Sequence, residues 1–484
     1  MVYFLLCSVY FAINRLLLNL FSLSLQKKSC ILQKKYKTIR LMKKILMLFI
    51  VALFAGSLHA TQIPTFPNRV FNIKDYYNGT DTLYTSAINA AINDCSKQGG
   101  GMVLIPKGVY LTGPIHLQSN VNLHMEDGVV LRFSTDPTLY EPIVLTRIEG
   151  ADCYNLSPLI YAYGKENIAI TGKALLDGQA TSENWLDPHN MYYHYQPDGR
   201  IARDKTQLVE MNNNKVDVKK RRFEGRCGMR PQFINLYKCK NILLDGFEIN
   251  RSPFWLVHPL MCENVTVRNL ILRSHGSNND GCDPESCTDV LIEGCYFDTG
   301  DDCIAIKSGK DNDGRRWNIP CKDIVIRNCI MRDGHAGVAI GSEISGSVYN
   351  VTVQDCYMDS PNLDRVLRIK SNPARGGEVA NVRIKNIEVG ECKLAIVGLE
   401  LKYWKTDKGP YLPSFHDIYV ENVRSKKSRY MIHVDGLEGK ELAKDIFFKD
   451  CNINGVIEKE VNHLIGVGKI GFDNVYVNGV KQER

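Results

Sequence analysis

The chain has 484 residues, of which 44% are hydrophobic and 23% are charged, which is typical of a folded globular protein. Its formal net charge is +7, but residues 1–60 hold nine lysines and arginines and no acidic residue. The rest of the chain has 51 basic and 53 acidic residues. Its overall charge therefore gives no basis for nucleic-acid binding, and any preference for an acidic partner must be local.

Residues 1–60 are predicted to serve targeting rather than the fold. Met42-Lys43-Lys44, the apolar run Ile45–Ala55 and Ser57-Leu58-His59-Ala60 have the charged start, apolar middle and small-residue end of a secretory signal. We interpret residues 1–41 as an upstream extension and residues 42–60 as a signal peptide cleaved after Ala60. The mature protein is then exported, periplasmic or extracellular, without stable membrane insertion. Alternatively, the apolar segment of residues 2–25, which is broken by Arg15, forms a membrane anchor.

The chain after residue 240 repeats one short pattern, an Asn or Asp followed by alternating apolar residues. The marker residues are Asn241, Asn264, Asp289, Asp323, Asn350, Asn381, Asp417, Asp445 and Asn474. Their intervals are 23, 25, 34, 27, 31, 36, 28 and 29 residues. Repeats of this length, built on β-branched strands without intervening helices, predict an all-β fold, a right-handed parallel β-helix, in one domain spanning residues 61–484.

The repeat also predicts which residues stack. Asp301 and His335 both lie twelve residues after their markers, Asp289 and Asp323. Neighbouring strands lie about 4.8 Å apart, so His335 is expected within contact range of Asp301. The same register predicts the stacked core pairs Ile304/Val338, Ala305/Ala339 and Ile306/Ile340.

Two segments outside the repeat carry structural predictions. Asp81-Thr82, apolar residues at helical spacing over residues 87–95 and Gly99-Gly100-Gly101 predict a capped amphipathic helix that covers the open end of the β-stack. Between Asp177 and Gly228 the repeat is lost, which predicts a long loop on one face of the solenoid. This insertion is either a solvated decoration or one wall of a groove.

Sixteen cysteines in an exported protein suggest disulfides at first sight. Their positions in the repeat favour buried thiols, because the same positions carry large apolar residues in other coils. One stack holds Cys239, Cys262, Cys287 and Cys321, and a second holds Cys295, Cys329, Cys356 and Cys451. No Cys-x-x-Cys with matching histidine spacing occurs, so no zinc site is predicted.

Four polar clusters recur at intervals of about one coil. They are Asn278-Asn279-Asp280-Gly281, Gly300-Asp301-Asp302, Gly334-His335-Ala336-Gly337 and Arg368-Ile369-Lys370. Carboxylates crowded on adjacent coils raise each other's pKa and cost stability unless they serve a function. A structural carboxylate ladder or a calcium site is the bland interpretation. Paired carboxylates in different protonation states are what glycoside hydrolysis requires, and two cations beside them suit a substrate that carries its own carboxylate.

The order of these clusters resembles that of the polygalacturonases, glycoside hydrolase family 28, from about Phe71 onward. The resemblance implies hydrolysis of α-1,4-galacturonosyl bonds of a pectic polysaccharide or oligogalacturonide, with inversion and with neither metal nor cofactor. Asn279 stands where the family usually has Thr, and Ala336 where the second Gly of Gly-His-Gly is usual. Neither departure removes a catalytic group.

The resemblance also assigns roles to particular residues. Asp301 corresponds to the general acid, Asp280 and Asp302 to the pair that activates water, and His335 to the residue that supports the acid. The residues expected to bind substrate are Arg368, Lys370, Asn278 and Tyr403. Inversion requires carboxyl groups about 6.5–9.5 Å apart.

Residues 311–321 and 358–365 look like the exo-acting bacterial branch of the family. With the 177–228 insertion able to close one end of a groove, they predict release of monomers or dimers from the non-reducing end. Three alternatives stay open: a rhamnogalacturonan-directed hydrolase of the same family, a calcium-dependent pectate lyase and a non-catalytic pectin-binding β-helix.

Overall fold

The computed structural model describes residues 62–186, 205–225 and 228–483, which belong to one compact unit, Thr61–Arg484. The predicted signal peptide and upstream extension lie outside the described residues. One large sheet supplies two faces of the fold, with up to two strands from each coil. Its strands are Val70–Asn72, Gly101–Ile105, Gly108–Thr112, Val121–Phe133, Glu166–Asp177, Lys240–Asp245, Glu248–Asn250, Glu263–Arg268, Ile271–Ser274, Thr288–Glu293, Tyr296–Thr299, Cys321–Arg327, Ile330–Asp333, Val348–Met358, Glu378–Glu391, Ser414–Lys427, Ile446–Lys449, Asn452–Ile453, Ile470–Asp473, Tyr476–Val477 and Val480–Lys481.

A third face is formed by shorter strands from the same coils, and it carries the polar clusters. Four of them come early in the chain: Ile115–His116, Ile160–Tyr163, Ile234–Tyr237 and Val257–Leu260. Six come later: Ile304–Ile306, Ala336–Gly341, Arg365–Lys370, Ala395–Glu400, Tyr430–Asp435 and Asn462–Ile465. Parallel bridges from Val257 to Cys282 and from Cys282 to Ile304 join the two groups. We call this continuous surface the catalytic-side sheet.

The strands pair in parallel with the coil above and the coil below, so the fold is a parallel β-helix. Ile242 pairs with Val265 and Val265 with Val290, at the predicted spacings of 23 and 25 residues. The predicted pairs Ile304/Val338, Ala305/Ala339 and Ile306/Ile340 are all present. Alternating apolar residues therefore meet their equivalents in the next coil inside the solenoid, where they form one continuous core.

The marker residues turn the chain into each coil. All of them have a positive φ, from 52° to 60°, a conformation that Asn and Asp tolerate better than other residues with a side chain. Their side chains form a ladder between coils: the Asn264 amide donates to Asn241 Oδ1 at 2.9 Å, and the Asn381 amide donates to Asn350 Oδ1 at 2.8 Å. The Asn or Asp of the sequence repeat therefore occurs where the backbone of each turn adopts the left-handed conformation.

The last marker was assigned to the wrong turn. Ile446 pairs with Ile470, so the final coil is 24 residues long and its first turn lies at residue 469 rather than at Asn474. The Asn474 amide instead donates to Asp450 Oδ1 at 2.6 Å, one corner further along the coil. In the preceding coil both corners use Asp with positive φ, Asp445 and Asp450, whereas the first corner of the last coil is Lys469. The pattern therefore picks out the second corner in the last coil.

A helix over Thr85–Lys97 occupies the predicted position and buries Ala87, Ile88, Ala91, Ile92 and Cys95. Its N-cap is Tyr84, which makes no side-chain capping bond, so the predicted start at Asp81-Thr82 was wrong by several residues. At the other end of the helix, the Gly100 amide donates to the Cys95 carbonyl at 2.8 Å. The glycine-rich end follows the prediction because Gly99, Gly100 and Gly101 all have positive φ.

The insertion after Asp177 is not only a loop. Its described part contains a helix over Lys205–Asn213 and a 3₁₀ turn over Val218–Lys220. Leu208 of the helix packs in a small apolar cluster with Ile148, Phe254 and Trp255. A short helix over Asp311–Trp317 lies against it, with Asn312 donating to the Asn212 carbonyl at 3.0 Å. The insertion is therefore packed onto the catalytic-side sheet rather than solvated throughout.

The cysteines of the described part are buried free thiols, as predicted. They are Cys95, Cys153, Cys239, Cys262, Cys282, Cys287, Cys295, Cys303, Cys321, Cys329, Cys356, Cys392 and Cys451. Most lie in the main core with valines and isoleucines, which is the environment that their repeat positions predicted. No helix within residues 62–186, 205–225 and 228–483 is long and apolar enough to cross a bilayer.

Candidate active site

The four polar clusters meet on the catalytic-side sheet. Asp280 comes directly before the bridging residues 282–285, Asp302 lies two residues before the strand Ile304–Ile306, and His335 lies one residue before Ala336–Gly341. Arg368 and Lys370 lie in the strand Arg365–Lys370 and project outward between apolar core residues. Stacked strands bring residues from a 93-residue stretch of chain, residues 278–370, into one patch, because consecutive coils are neighbours in space.

Three carboxylates form the centre of the patch. One oxygen each from Asp280, Asp301 and Asp302 lie within 4.8 Å of one another. Asp280 and Asp302 are buried, and each keeps one oxygen without a hydrogen-bond partner among the described residues. Such acceptors cost free energy unless water or a ligand supplies a donor. The distance between the nearest carboxylate oxygens is shorter than the separation of carboxyl groups expected for inversion. A water that donates to two oxygens can nevertheless bridge a distance of up to about 5 Å between them.

The predicted contact between His335 and Asp301 is present. His335 Nδ1 donates to Asp301 Oδ1 at 3.0 Å, and the Asp302 backbone amide donates to the same oxygen at 2.9 Å. The His335 side chain is 53% exposed, whereas that of Asp301 is 22% exposed. The imidazole therefore covers the carboxylate from the solvent side and remains in exchange with bulk protons.

These environments separate the protonation states of the carboxyl groups. Burial and the Asp301 charge raise the pKa of Asp280 from 3.8 to about 8. Burial opposes the change at Asp301, but the His335 hydrogen bond and Lys370 lower its pKa to about 2. The pKa of His335 is raised, chiefly by its hydrogen bond to Asp301. Between about pH 2 and about pH 8, Asp280 therefore holds a proton while Asp301 is ionised, and the His335 imidazole binds its proton more tightly than a free histidine does.

The cations expected to bind substrate hold carboxylates of the protein. Lys370 Nζ donates to Asp302 Oδ2 at 2.7 Å, and both groups are buried. Arg368 donates through Nε and Nη2 to the two oxygens of Glu400 at 3.0 and 3.2 Å. Tyr403 lies alongside, with its ring centroid 5.7 Å from the Arg368 guanidinium carbon and 5.5 Å from Lys370 Nζ.

A lysine that the sequence interpretation passed over occupies the middle of the patch. Lys307 Nζ lies 3.5 Å from Asp280, 3.6 Å from Asp283 and 3.5 Å from Glu343. It also lies 4.6 Å from the centroid of the Trp255 ring, close enough for a cation–π contact. The register held a signal. Ala305 and Arg368 occupy the same register position two coils apart, and each is followed two residues later by a lysine, Lys307 and Lys370.

Two acidic residues were likewise missed. Asp283 is buried beside Lys307, and burial together with Asp280 raises its pKa well above the usual range. Glu343 lies on the other side, and although burial opposes it, Lys307 and Arg375 lower its pKa. Glu343 follows a strand end rather than preceding a strand, so the repeat pattern of the first three clusters did not point to it.

The remaining predicted residues flank the patch. Asn278 Oδ1 accepts from Arg230 Nη2 at 3.2 Å and is half-buried. Asn279 is buried, and its amide donates to the Ser252 and Phe254 carbonyls at 3.1 Å. These bonds hold the turn before Asp280 against the neighbouring coil. The Asn that stands here in place of the family's usual Thr is therefore accommodated by hydrogen bonding. Ala336 is buried in a small cluster with Ala305 and Ala339, which accommodates its methyl group.

One end of the catalytic-side sheet is covered. The antiparallel hairpin of Val144–Ile148 and Ala151–Asn155 lies over the strands that precede Cys282. Thr146 donates to Asn235 at 3.1 Å, Gln232 donates to the Arg147 carbonyl at 2.7 Å, and Arg147 donates to Glu285 at 2.9 Å. Asn235, His258 and Glu285 face outward from the sheet yet are fully buried beneath the hairpin.

A buried ion network holds the hairpin in place. Arg147 bridges Asp152 at 2.7 Å and Glu285 at 2.9 Å, and Glu285 also contacts His258 at 3.0 Å. Trp317 donates to Asp152 at 2.6 Å from the helix Asp311–Trp317. The hairpin, this helix and the insertion thus form one wall, which we call the end wall. The prediction that the insertion alone closes the groove is incomplete, because the hairpin touches the sheet and the insertion supports it.

A parallel β-helix that gathers three carboxylates, an imidazole and two lysines on one face, with a wall at one end, is the arrangement of a polysaccharide-cleaving enzyme. The carboxylates differ in proton affinity, as acid–base cleavage of a glycosidic bond requires. Fold and site together define a glycoside hydrolase.

Comparison with known proteins agrees. The chain belongs to glycosyl hydrolases family 28, whose pattern matches residues 95–465. It is 28% identical to a probable polygalacturonase of Vitis vinifera over 65% of this chain and 59% of that protein. It is also 28% identical to an endo-polygalacturonase of Pectobacterium carotovorum, over 82% of this chain and 90% of that one. The chain thus spans less than two thirds of the grape relative.

A solved structure is more similar. The hyperthermoactive exopolygalacturonase from Thermotoga maritima shares 37% sequence identity, with a TM-score of 0.79 over 87% of this chain and 94% of that one. The similarity covers most of the described fold, so the two proteins share the same architecture.

Proposed function

We propose that this protein hydrolyses α-1,4-galacturonosyl bonds of polygalacturonate with inversion. The observation that carries the proposal is the carboxylate cluster of Asp280, Asp301 and Asp302 beside buried cations on an otherwise apolar repeat. Cations next to the acids suit a substrate whose every residue carries a carboxylate. The family membership and the likeness to an exopolygalacturonase support the same substrate class.

The proton balance of the proposed reaction starts on Asp301. Asp301 donates a proton to the glycosidic oxygen as the bond from the anomeric carbon to that oxygen breaks. Asp302 and Asp280 hold a water that attacks the anomeric carbon from the opposite face, and one of them accepts its proton. Asp301 gains a proton and a carboxylate of the pair loses one before the next turnover. The orphaned oxygens of Asp280 and Asp302 are the acceptors on which such a water would bind.

The low pKa of Asp301 bears on its role as the proton donor. Asp301 and His335 are joined by one hydrogen bond, so they hold a proton as a pair, and the raised pKa of His335 measures the affinity of that pair. We propose that a bound uronate, by bringing negative charge and excluding water, moves this proton from the imidazole to the carboxyl group. His335 then acts as a positioning residue and proton reservoir for Asp301.

Arg368 and Lys370 are proposed to bind the uronate through the N–H groups that do not contact Glu400 or Asp302. Arg368 uses Nε and Nη2 on Glu400, which leaves its Nη1 edge for a substrate carboxylate. Lys370 carries three donor protons, and one of them goes to Asp302. Asn278 and Tyr403 flank these groups and are proposed as further substrate contacts.

We further propose exo action, with the non-reducing end of the substrate against the end wall. The support is the hairpin of Val144–Ile148 and Ala151–Asn155, which covers the earlier strands of the catalytic-side sheet and buries outward-facing Asn235 and His258. The likeness to an exopolygalacturonase points the same way, although one relative is an endo-acting enzyme. The wall, rather than the resemblance, is the physical reason for our preference.

A reducing-end assay on polygalacturonate in the presence of chelator tests the reaction, with wild type against Asp301→Asn. We expect hydrolysis by the wild type and loss of about 10²- to 10⁴-fold in the variant. Substantial residual activity of Asp301→Asn would remove the assignment of the proton donor. Products from an oligogalacturonide labelled at its reducing end test exo action. Release of unlabelled mono- or digalacturonate first supports the end wall, and early internal cleavage contradicts it.

Two other functions are separated by the same assays. A pectate lyase would lose activity with chelator and form products that absorb in the ultraviolet. Lys370 and Lys307 already neutralise the carboxylates, which supports a reaction without metal. A rhamnogalacturonan-directed hydrolase would prefer that polymer when both are digested side by side. A non-catalytic pectin-binding β-helix would bind without releasing reducing ends.

The proposal extends to the architecture and location of the chain. We propose that the coils wind right-handed, that the helix Thr85–Lys97 covers the first coil and that residues 61–484 are one catalytic domain after a signal peptide at residues 42–60. The five residues that the helix buries support the covering role. N-terminal sequencing of the exported protein tests the cleavage site, and a start before residue 42 would contradict it.

A further inference from the structure

Two histidines form a stacked pair on the catalytic-side sheet, beyond the groups already described. His433 and His463 lie on adjacent coils with ring centroids 4.7 Å apart and planes 15° from parallel. The Tyr430 ring lies 5.4 Å from His433 and 6.1 Å from His463. All three side chains are half-buried, so each keeps a surface toward the solvent side of the sheet. We call these three residues the imidazole platform.

The platform continues the row of the catalytic groups. Ala339, Arg368, Gly398, His433 and His463 are register partners on five successive coils. Strands in a sheet are about 4.8 Å apart, so His433 lies about 10 Å from Arg368 and His463 about 14 Å from it. A linear substrate lying along this row on Arg368 would reach the histidines next.

Gly398 lies between Arg368 and the platform in this row, and it has no side chain to project from the sheet. A Cβ at this position would lie 2.4 Å from Arg365 Cδ and 2.6 Å from Arg365 Nε. Arg365 crosses this gap to contact Glu400 at 2.8 Å. The floor of the groove is thus filled by a guanidinium rather than by a projecting side chain, and it stays basic up to the imidazoles.

His433 has unused hydrogen-bonding capacity in this groove. Its Nδ1 is buried and has no hydrogen-bond partner in the described part of the chain. An unpaired imidazole nitrogen costs free energy when water cannot reach it. A ligand that brings a donor or an anionic oxygen to Nδ1 in the plane of the imidazole ring would recover that cost.

The end wall decides which part of a polymer can lie here. If the non-reducing end rests against the hairpin, the rest of the chain must leave across the later coils, and these carry the platform. We propose that His433 and His463, with Tyr430, form a distal subsite that binds a uronate residue on the reducing-end side of the cleaved bond. This inference rests on the proposed function, and it adds a chain-length preference that the carboxylate cluster does not explain.

Charge at the platform depends on pH. The groups that face His433 are His463, Arg365, Glu400, Asp435 and Tyr430. Burial, His463 and Arg365 lower the pKa of His433, and Glu400 and Asp435 act weakly in the opposite direction. The His433 ring of the free platform therefore favours its neutral form. A uronate carboxylate favours the imidazolium, so longer substrates should bind more tightly as the pH falls.

The test compares two substrates on full-length protein: digalacturonate, too short to reach the platform, and oligogalacturonides of six or more residues. In His433→Ala and His463→Ala, kcat/KM on the long substrate should fall about tenfold through KM, and values for digalacturonate should stay unchanged. In the wild type, the ratio of long to short kcat/KM should rise from about pH 8 to about pH 5. In His433→Gln this rise should be absent, because Gln keeps a hydrogen-bonding group but cannot take a proton.

His124→Ala is the matched control, since His124 lies on the large sheet and contacts Thr171 at 2.8 Å. Its chain-length preference should equal that of the wild type. An unchanged preference in both platform variants would overturn the subsite. An equal loss on digalacturonate would also overturn it, because the histidines would then act on the fold or the catalytic centre. Inactivity of the wild type on every galacturonan would instead contradict the proposed function.

Discussion

Lys370 Nζ lies 2.7 Å from Asp302 Oδ2, and both groups are buried although 68 residues separate them in the chain. The cation was expected to bind the substrate, yet it neutralises the carboxylate of Asp302. Three acidic groups can therefore remain close together without a metal ion, since Lys370 and Lys307 supply the positive charge from within the solenoid.

Removal of this cation should cost both stability and activity. Lys370→Met leaves Asp302 as an uncompensated buried charge, which costs about 3–5 kcal/mol. We expect a loss of that size in the free energy of unfolding measured with urea, together with a strong loss of kcat. Lys427→Met is the control, because Lys427 and Glu391 form an exposed pair at 2.6 Å whose loss costs less than about 1 kcal/mol. Equal losses of unfolding free energy in the two variants would show that the buried pair stabilises the fold no more than the exposed pair does.

Asp280 should be a destabilising residue above acid pH. Its pKa is about 8 in the folded protein against 3.8 for the free side chain. Between about pH 4 and about pH 8 the folded state holds a proton that the unfolded chain releases, so stability falls as pH rises through this window. Asp280→Asn removes that penalty. At about pH 8 the variant should be inactive yet more stable than wild type by at least about 1.4 kcal/mol, the equivalent of one pKa unit.

Thermal melts across pH check this prediction. The gain of Asp280→Asn should shrink toward about pH 4, where the wild-type carboxyl group is protonated in both states. Asp127→Asn, at an exposed position on the large sheet, should show no such gain. A variant that is less stable than wild type at about pH 8 would contradict the protonation state assigned to Asp280.

His335 should set the alkaline limit of activity. Its pKa is raised by Asp301, so the pair keeps its proton above the usual titration range of histidine and loses it as pH rises. His335→Gln keeps a donor toward Asp301 but carries no proton, and kcat should fall about 10²-fold or more. The alkaline limb of the pH profile should move or vanish in the variant.

His416→Gln provides the comparison for this experiment. The pKa of His416 is also raised, despite burial, by Glu378 and Asp417, which it contacts at 2.9 and 2.8 Å on the large sheet. Its substitution should leave the pH profile unchanged. A profile of His335→Gln that keeps the wild-type alkaline limb would assign that limb to another group.

The anomeric outcome should be inversion. A water between Asp280 and Asp302, opposite Asp301, attacks the face away from the leaving group, so an α-linkage yields a β-sugar first. Proton NMR of fresh hydrolysate, before mutarotation, gives the answer. The nearest oxygens of the cluster lie within 4.8 Å, a spacing that would also suit a covalent intermediate. If the first product were the α-anomer, the mechanism would instead use a carboxylate as the nucleophile.

The sequence by itself determined the fold class, because the repeat is a local signal. Asn or Asp at each turn followed by alternating apolar residues specifies the coil length and the inward face. It therefore predicted the stacking of Ile304 on Val338, the contact of His335 with Asp301 and the burial of the thiols. It misplaced Asn474 and the start of the first helix, since two corners of a coil use the same residues and capping by Tyr84 leaves no polar signal.

Only the tertiary structure decided the electrostatics and the shape of the groove. Whether a lysine binds substrate or a neighbouring acid depends on where side chains end, which the spacing of Arg368 and Lys370 does not encode. Lys307 Nζ lies 3.5 Å from Asp280, 27 residues away in the chain, and Arg147 ties the hairpin of the end wall to Glu285 across 138 residues. Such contacts arise between distant segments, so they follow from packing in three dimensions and not from periodicity along the chain.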